Sequence, residues 1–190
     1  LKYFKNESEA VFLRMMDQFR SIEYLKTGNQ RQKQAYLTLR KYTIMESLRE
    51  FQPTLVGTIP LEIDLPESDL DIICFCRNQK VFFNKVINLY GNEPAFTIYS
   101  KEFQYLPSTI ATFSTSDFTI EIFGQNRPIL QQSAYLHLIN EFQILKNKGK
   151  DFKNAVKKLK KEGYKTEPAF AKLLGLDGNP YQALLTLPSE

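Results

Sequence analysis

Asp69 and Asp71, one residue apart, open the apolar run DLDIICFC, and a third acid, Glu121, stands alone inside FTIEIFG. On a strand, alternate side chains share a face, so the two aspartates project together with their Cα atoms about 7 Å apart. Two carboxylates that close push each other toward protonation unless a cation lies between them. An oxygen-preferring divalent ion is the natural partner, and Mg2+ is commonly held by one or two carboxylates plus substrate phosphates. Glu121 is flanked by Ile120 and Ile122, which face the other way. A carboxylate in so apolar a strand is costly unless it meets a metal or a donor. An acid-x-acid pair arises about once by chance in a chain of this size. What lifts this one above chance is Gly57-Thr58, ten residues upstream at the end of a short apolar run. A glycine permits close backbone approach, and the local N–H groups with the Thr58 hydroxyl can hold phosphate oxygens. The competing reading needs three separate accounts: Asp69 capping a turn, Asp71 paired with a lysine and Glu121 with an arginine.

These side chains need elements to position them. Helical spacing is compatible with the first residues, and TGN at 27–29 punctuates the chain. A long helix is predicted from about Gln30 to Phe51, with Leu37, Ile44, Leu48 and Phe51 on its apolar side, and Pro53 stops it. Leu55-Val56 reads as a short buried strand. DLDIICFC, apolar on both faces after its aspartates, reads as an inner strand. Asn78 is a candidate cap for a helix to about Tyr90, closed by Gly91. AFTIYSKEFQ, STIATFSTSD and FTIEIFG then give three strands, with Pro107 and Ser116-Asp117 as breaks. From Ile129 onward the period is helical: a stripe through Ala134, Leu138, Phe142 and Leu145, a lysine-rich helix, a short piece from Glu167 to Leu174, and a final helix over YQALLTL.

The chain has 190 residues, 43% of them apolar and 24% charged, which places it with globular proteins and away from disordered ones. No apolar run approaches the ~18 residues of a membrane span. The N-terminal stretch mixes charge into its apolar residues, so a secretory signal is not expected. Cys74 and Cys76 are too few for a disulfide framework, and with one histidine they do not make a zinc site; a reducing cytoplasm is the expected compartment. The net charge of +4 is uneven, because residues 146–165 carry nine lysines against Asp151 and Glu162. Such a run attracts nucleic acid or phosphorylated substrate, but Phe152, Ala155, Val156 and Leu159 beneath it favour a solvated helix face.

An apolar-Gly-hydroxyl pair, a loop, an acid-x-acid on the next strand and a third acid on a later strand together resemble the nucleotidyltransferase superfamily. The likeness is to its polymerase-β-like, small kanamycin-nucleotidyltransferase type, with Thr58 where serine is usual. LVGTIPLEIDLPESDLDIIC, QNRPILQQSAYLHL and KTEPAFAKLLGLDGNPYQALL further resemble a bacterial family of unknown function within it, over roughly residues 18–187. The resemblance implies an α+β fold: a nucleotidyltransferase-like mixed β-sheet with helices on one side, followed by a helical C-terminal lobe. Residues 1–29 would be a helical N-terminal extension, 30–126 the catalytic core and 127–190 the helical lobe.

The implied activity is transfer of a nucleoside monophosphate from an NTP to an acceptor hydroxyl, with one or two Mg2+ ions. Asp69, Asp71 and Glu121 would be catalytic and metal-binding, with Glu121 either a ligand or the base. Gly57 and Thr58 would touch the triphosphate, and Arg77 and Arg127 would complete its site; a surface ion pair is the bland role for either arginine. His137, one helical turn from Glu141, would contact the acceptor or shuttle a proton, against the more ordinary role of a structural histidine. The acceptor is expected to be a small molecule rather than RNA or protein, with no membrane partner. Homodimerisation is expected only by analogy with drug-modifying members. A catalytically degenerate nucleotide-binding or protein-interaction module is the alternative.

Overall fold

The computed structural model describes residues 18–187, so the helix expected over the first dozen residues lies outside them. The described part of the N-terminal segment contains a 3-10 turn, Glu23–Thr27, with Leu25 buried. Five strands form one mixed sheet: β1 (Thr54–Val56), β2 (Leu70–Phe75), β3 (Thr97–Phe103), β4 (Leu106–Ser114) and β5 (Thr119–Gln125). Their spatial order is β1-β2-β5-β4-β3. β2 is an inner strand, antiparallel to β1 and parallel to β5.

Strand alternation divides the core in two. Leu70, Ile72 and Cys74 of β2, with Ile120 and Ile122 of β5, pack against α1 (Gln30–Lys41), α2 (Ile44–Ser47) and α3 (Gln79–Tyr90), whose Leu39, Ile44, Phe82 and Val86 are buried there. Val56 and Ile73 face the other way. They join Leu138, Ile139, Phe170 and Leu184 from α4 (Ser133–Lys161), α5 (Thr166–Leu174) and α6 (Pro180–Leu185). This is an α+β sheet with helices on one face and the C-terminal helices on the other. Among the described residues no helix is long and apolar enough to cross a membrane.

Three local expectations are corrected. The helix predicted over 30–51 is broken: α1 ends at Lys41, and Thr43 adopts a left-handed conformation (φ 50°) before α2. Tyr42 and β-branched Thr43 are weak helix formers, and nothing in the apolar period reveals the break. Leu37, expected in the core, is 66% exposed, while Gln32 is buried. Gln32 closes a capping box with Asn29 and donates to the Ile59 carbonyl at 3.0 Å, which ties α1 to the segment after Gly57. Pro107 lies inside β4 opposite Glu102, and the chain instead turns at Gln104-Tyr105, both at positive φ, as a two-residue hairpin requires.

Asn78 caps α3 by accepting from the Val81 N–H, as its position predicts. The two helices expected after Ile129 are the two arms of α4, divided at Gly149 with φ 78° and ψ −166°. That region of backbone space is essentially glycine's alone. Nothing lies within 4 Å of a Cβ built at Gly149, so a substitution there meets a conformational cost and no clash. Gly149→Ala is therefore expected to lower stability by roughly 1–3 kcal/mol in urea unfolding. Unchanged stability would mean that the break is not imposed by glycine.

Candidate active site

β1 is followed by Gly57 at φ 78°, and a Cβ there would lie 2.1 Å from Oδ2 of Asp71. The close approach inferred for this glycine is thus made first to a carboxylate: a larger residue at this positive φ would displace the Asp71 side chain. In register, Asp71 stands opposite Val56 on β1 and opposite Glu121 on β5. Parallel neighbours are spaced by about 4.8 Å, so two acids project from adjacent strands onto one face. Asp69, just before β2, is the third. None of the three makes a hydrogen bond or ion pair among the described residues. The loop ahead of them is pinned by Arg31 of α1, which donates to the Pro66 and Ser68 carbonyls and lies 3.7 Å over the Phe118 ring. Ser68 accepts from the Leu65 N–H at 2.9 Å and from the Thr58 hydroxyl at 3.4 Å.

A cavity of about 590 Å³ opens over this face, between the sheet and the C-terminal helices. Gly57, Thr58, Asp69, Asp71, Glu121 and His137 all line it. Arg77 and Arg127 do not. They lie two residues past the ends of the parallel strands β2 and β5, six residues beyond Asp71 and Glu121. Arg77 is exposed with its guanidinium 5.5 Å from the Phe75 ring, and Arg127 donates to Gln104. The cations at the cavity are lysines instead: Lys101 from β3, Lys160 from α4 and Lys165 just before α5.

The lysine run is thus not wholly a solvated face. Lys153 donates to Glu62 at 2.8 Å and Lys157 to the Glu62 carbonyl at 3.4 Å. Helical spacing does place Lys153, Lys157 and Lys160 on one side, but only a mapped cavity says which side faces in. Glu141 and Glu167 also line the cavity, and neither stood out in sequence beyond the His137-Glu141 spacing.

Burial dominates the electrostatics. It pushes Asp71 up to about 8, helped by the charges of Asp69 and Glu121. Glu121 is raised chiefly by burial and then by Asp69, and burial drives Glu141 well above the usual carboxylate range. Burial lowers His137 and Lys160, so His137 favours its neutral form. Unpaired, half-buried acids with hard oxygen donors on one face fit a divalent cation.

This gives a pH dependence with a definite sign. The unfolded chain releases the Asp71 proton near 3.8, whereas the folded, metal-free chain keeps it to about 8. The folded state therefore binds more protons across that window, and stability falls as pH rises through it. Asp71→Asn is expected to flatten that fall, gaining on the order of a few kcal/mol over the parent at the alkaline end. Chelator-treated protein, unfolded in urea at several pH values, checks this; parallel pH profiles for parent and variant would refute it.

Comparison with solved structures identifies the fold. The Cid1 poly(U) polymerase bound to Mg 3'-dATP is 14% identical and superposes with a TM-score of 0.52, covering 95% of this chain and 54% of that one. A mutant of the same polymerase bound to MgATP gives 14% identity and a TM-score of 0.51, over 95% and 55%. The chain spans about half the length of these polymerases. The likeness is one of fold, that of the nucleotidyltransferases. No curated protein matches the sequence. Residues 37–187 match the family model described as "Domain of unknown function (DUF4269)", and the chain belongs to that family.

Proposed function

We propose that the protein is a Mg2+-dependent nucleotidyltransferase that moves a nucleoside monophosphate from an NTP to the hydroxyl of a small acceptor. The observation that carries this reading is the register of Asp71 with Glu121 on parallel neighbouring strands, with Asp69 beside them and Gly57 closed over Asp71. The polymerases that share the fold were solved with Mg 3'-dATP or MgATP, which supports an NTP as the donor. In this reading residues 30–126 supply the acids, and the lobe from 127 onward closes the cavity and supplies Lys160 and Lys165.

Asp69 and Asp71 would hold the magnesium, which when bound favours ionisation of the acceptor hydroxyl and neutralises the phosphates. The rest falls to the chain. The backbone at Gly57 and the Thr58 hydroxyl donate to phosphate oxygens, and Lys160 and Lys165 balance the triphosphate charge. Glu121, raised in proton affinity by its burial, accepts the proton that leaves the acceptor oxygen. That oxygen bonds to the α-phosphorus while the α–β bridging bond breaks, and the pair of electrons leaves with pyrophosphate. A small acceptor fits better than RNA, because Lys153, Lys157, Lys160 and Lys165 are turned toward Glu62 and the cavity rather than along an outer track.

Thermal unfolding with each of the four NTPs and Mg2+ tests the reading. A nucleotide at 100 times its Kd stabilises by about 2.7 kcal/mol, or roughly 5–11 °C for a chain of this size. The shift is expected to vanish in Asp69→Asn/Asp71→Asn. Lys160→Gln is expected to weaken nucleotide binding about 10–100-fold, the loss of one charge-assisted contact, with Arg77→Gln unchanged. No shift with any NTP up to millimolar concentration would remove the enzyme and leave a fold without its nucleotide.

A further inference from the structure

We propose that His137, Glu141 and Glu167 form a second cation site, separate from the aspartate pair, that takes a first-row divalent ion such as Zn2+. One ring nitrogen of His137 and one carboxylate oxygen from each glutamate lie within 4.8 Å of one another. His137 and Glu141 are one turn apart on the first arm of α4, so they share a helix face. Glu167 comes from the first turn of α5, which brings the third donor from a separate element.

The second observation is that these donors have no other occupation. Glu141 is only 4% exposed, lines the cavity, and makes no hydrogen bond or ion pair among the described residues. Leaving a carboxylate so placed is expensive unless a cation meets it. His137 is 8% exposed, and its Nδ1 is buried without a hydrogen-bond partner. Its ring meets that of Tyr181 edge-on at 6.2 Å, which holds it by packing alone.

Lys160 does not dispose of the cluster. It forms no ion pair within 4 Å among the described residues, and Glu141, Asp64, Glu167 and Asp71 all act on its charge. One ammonium with none of these carboxyl groups within ion-pair distance does not satisfy their oxygens. An imidazole with two carboxylates is a mixed nitrogen and oxygen set, which suits zinc or manganese better than the all-oxygen preference of magnesium. Three protein donors leave a further coordination position free, toward the cavity. An ion here would also tie α4 to α5 across one wall of the site.

The test is titration of ZnCl2 into chelator-stripped full chain without nucleotide, followed by calorimetry and melting temperature. It does not depend on the nucleotide reading, since zinc uptake persists even if no NTP binds. The expected result is one tightly held Zn2+ per chain that the parent and Asp69→Asn/Asp71→Asn share, any second ion in the parent being absent from that variant. His137→Gln and Glu167→Gln should weaken uptake by at least about 100-fold. Glu141→Gln, which keeps the shape and removes the ionisable carboxyl, should melt no lower than the parent without metal and should lose the zinc-induced rise. No uptake by the parent overturns the proposal. So does uptake that Glu167→Gln retains, or uptake that Asp69→Asn/Asp71→Asn abolishes, because the ion would then sit on the aspartates.

Discussion

Asp71 stands opposite Glu121 because β2 and β5 are locked in one parallel register, and everything at the site depends on that lock. A strand that slips by one residue turns every side chain to the other face. Here that would drive Asp71 into the core formed with α1 and α3, and would turn Leu70 and Ile72 into the cavity. The apolar clusters on the two faces forbid it, since Ile72 and Ile122 on one side and Ile73 on the other are buried simultaneously. Two apolar cores therefore hold the carboxylate geometry more firmly than any contact among the acids themselves.

That geometry is electrostatically unfavourable by itself. Asp69, Asp71 and Glu121 crowd one face with no hydrogen-bond or ion-pair partner among the described residues, and burial first, then the neighbouring acids, push Asp71 toward neutrality. The fold tolerates it because the acids line a cavity rather than a sealed core, and because the C-terminal helices bring Lys160 and Lys165 to the opposite wall. Under the proposed function these unpaired acids await a cation, in line with the tendency of perturbed ionisable groups to cluster at functional sites.

Much of this was legible in the sequence because it is carried by short-range pattern. The alternation in DLDIICFC, the isolated Glu121 and the Gly57-Thr58 pair each announce themselves within a few residues, and so do the strands around them. What sequence missed is carried by distance or by backbone detail. Arg77 and Arg127 looked suitable because they follow the right strands, yet strand direction puts them at the far end of the sheet. The buried role of Gln32 depends on meeting the Ile59 carbonyl, and the break at Thr43 on a conformation that no hydrophobic period encodes. Glu167 meets His137 and Glu141 only through tertiary folding, so their cluster had no linear signature.

Gly149 shows how far a backbone detail reaches. Glu141 and Lys160 line the same cavity, although nineteen positions separate them along one nominal helix. On a straight helix that interval is about 28 Å at 1.5 Å per residue, too far for both to meet one substrate-sized space. The break at Gly149 redirects the second arm of α4, so that Glu141 on the first arm and Lys160 on the second both line the cavity. The lysine run then serves the cavity through a few inward residues, while its remaining lysines meet solvent. A charge run that reads as surface in sequence becomes half of a site because one glycine, with nothing packed against it, can adopt a conformation the other residues avoid.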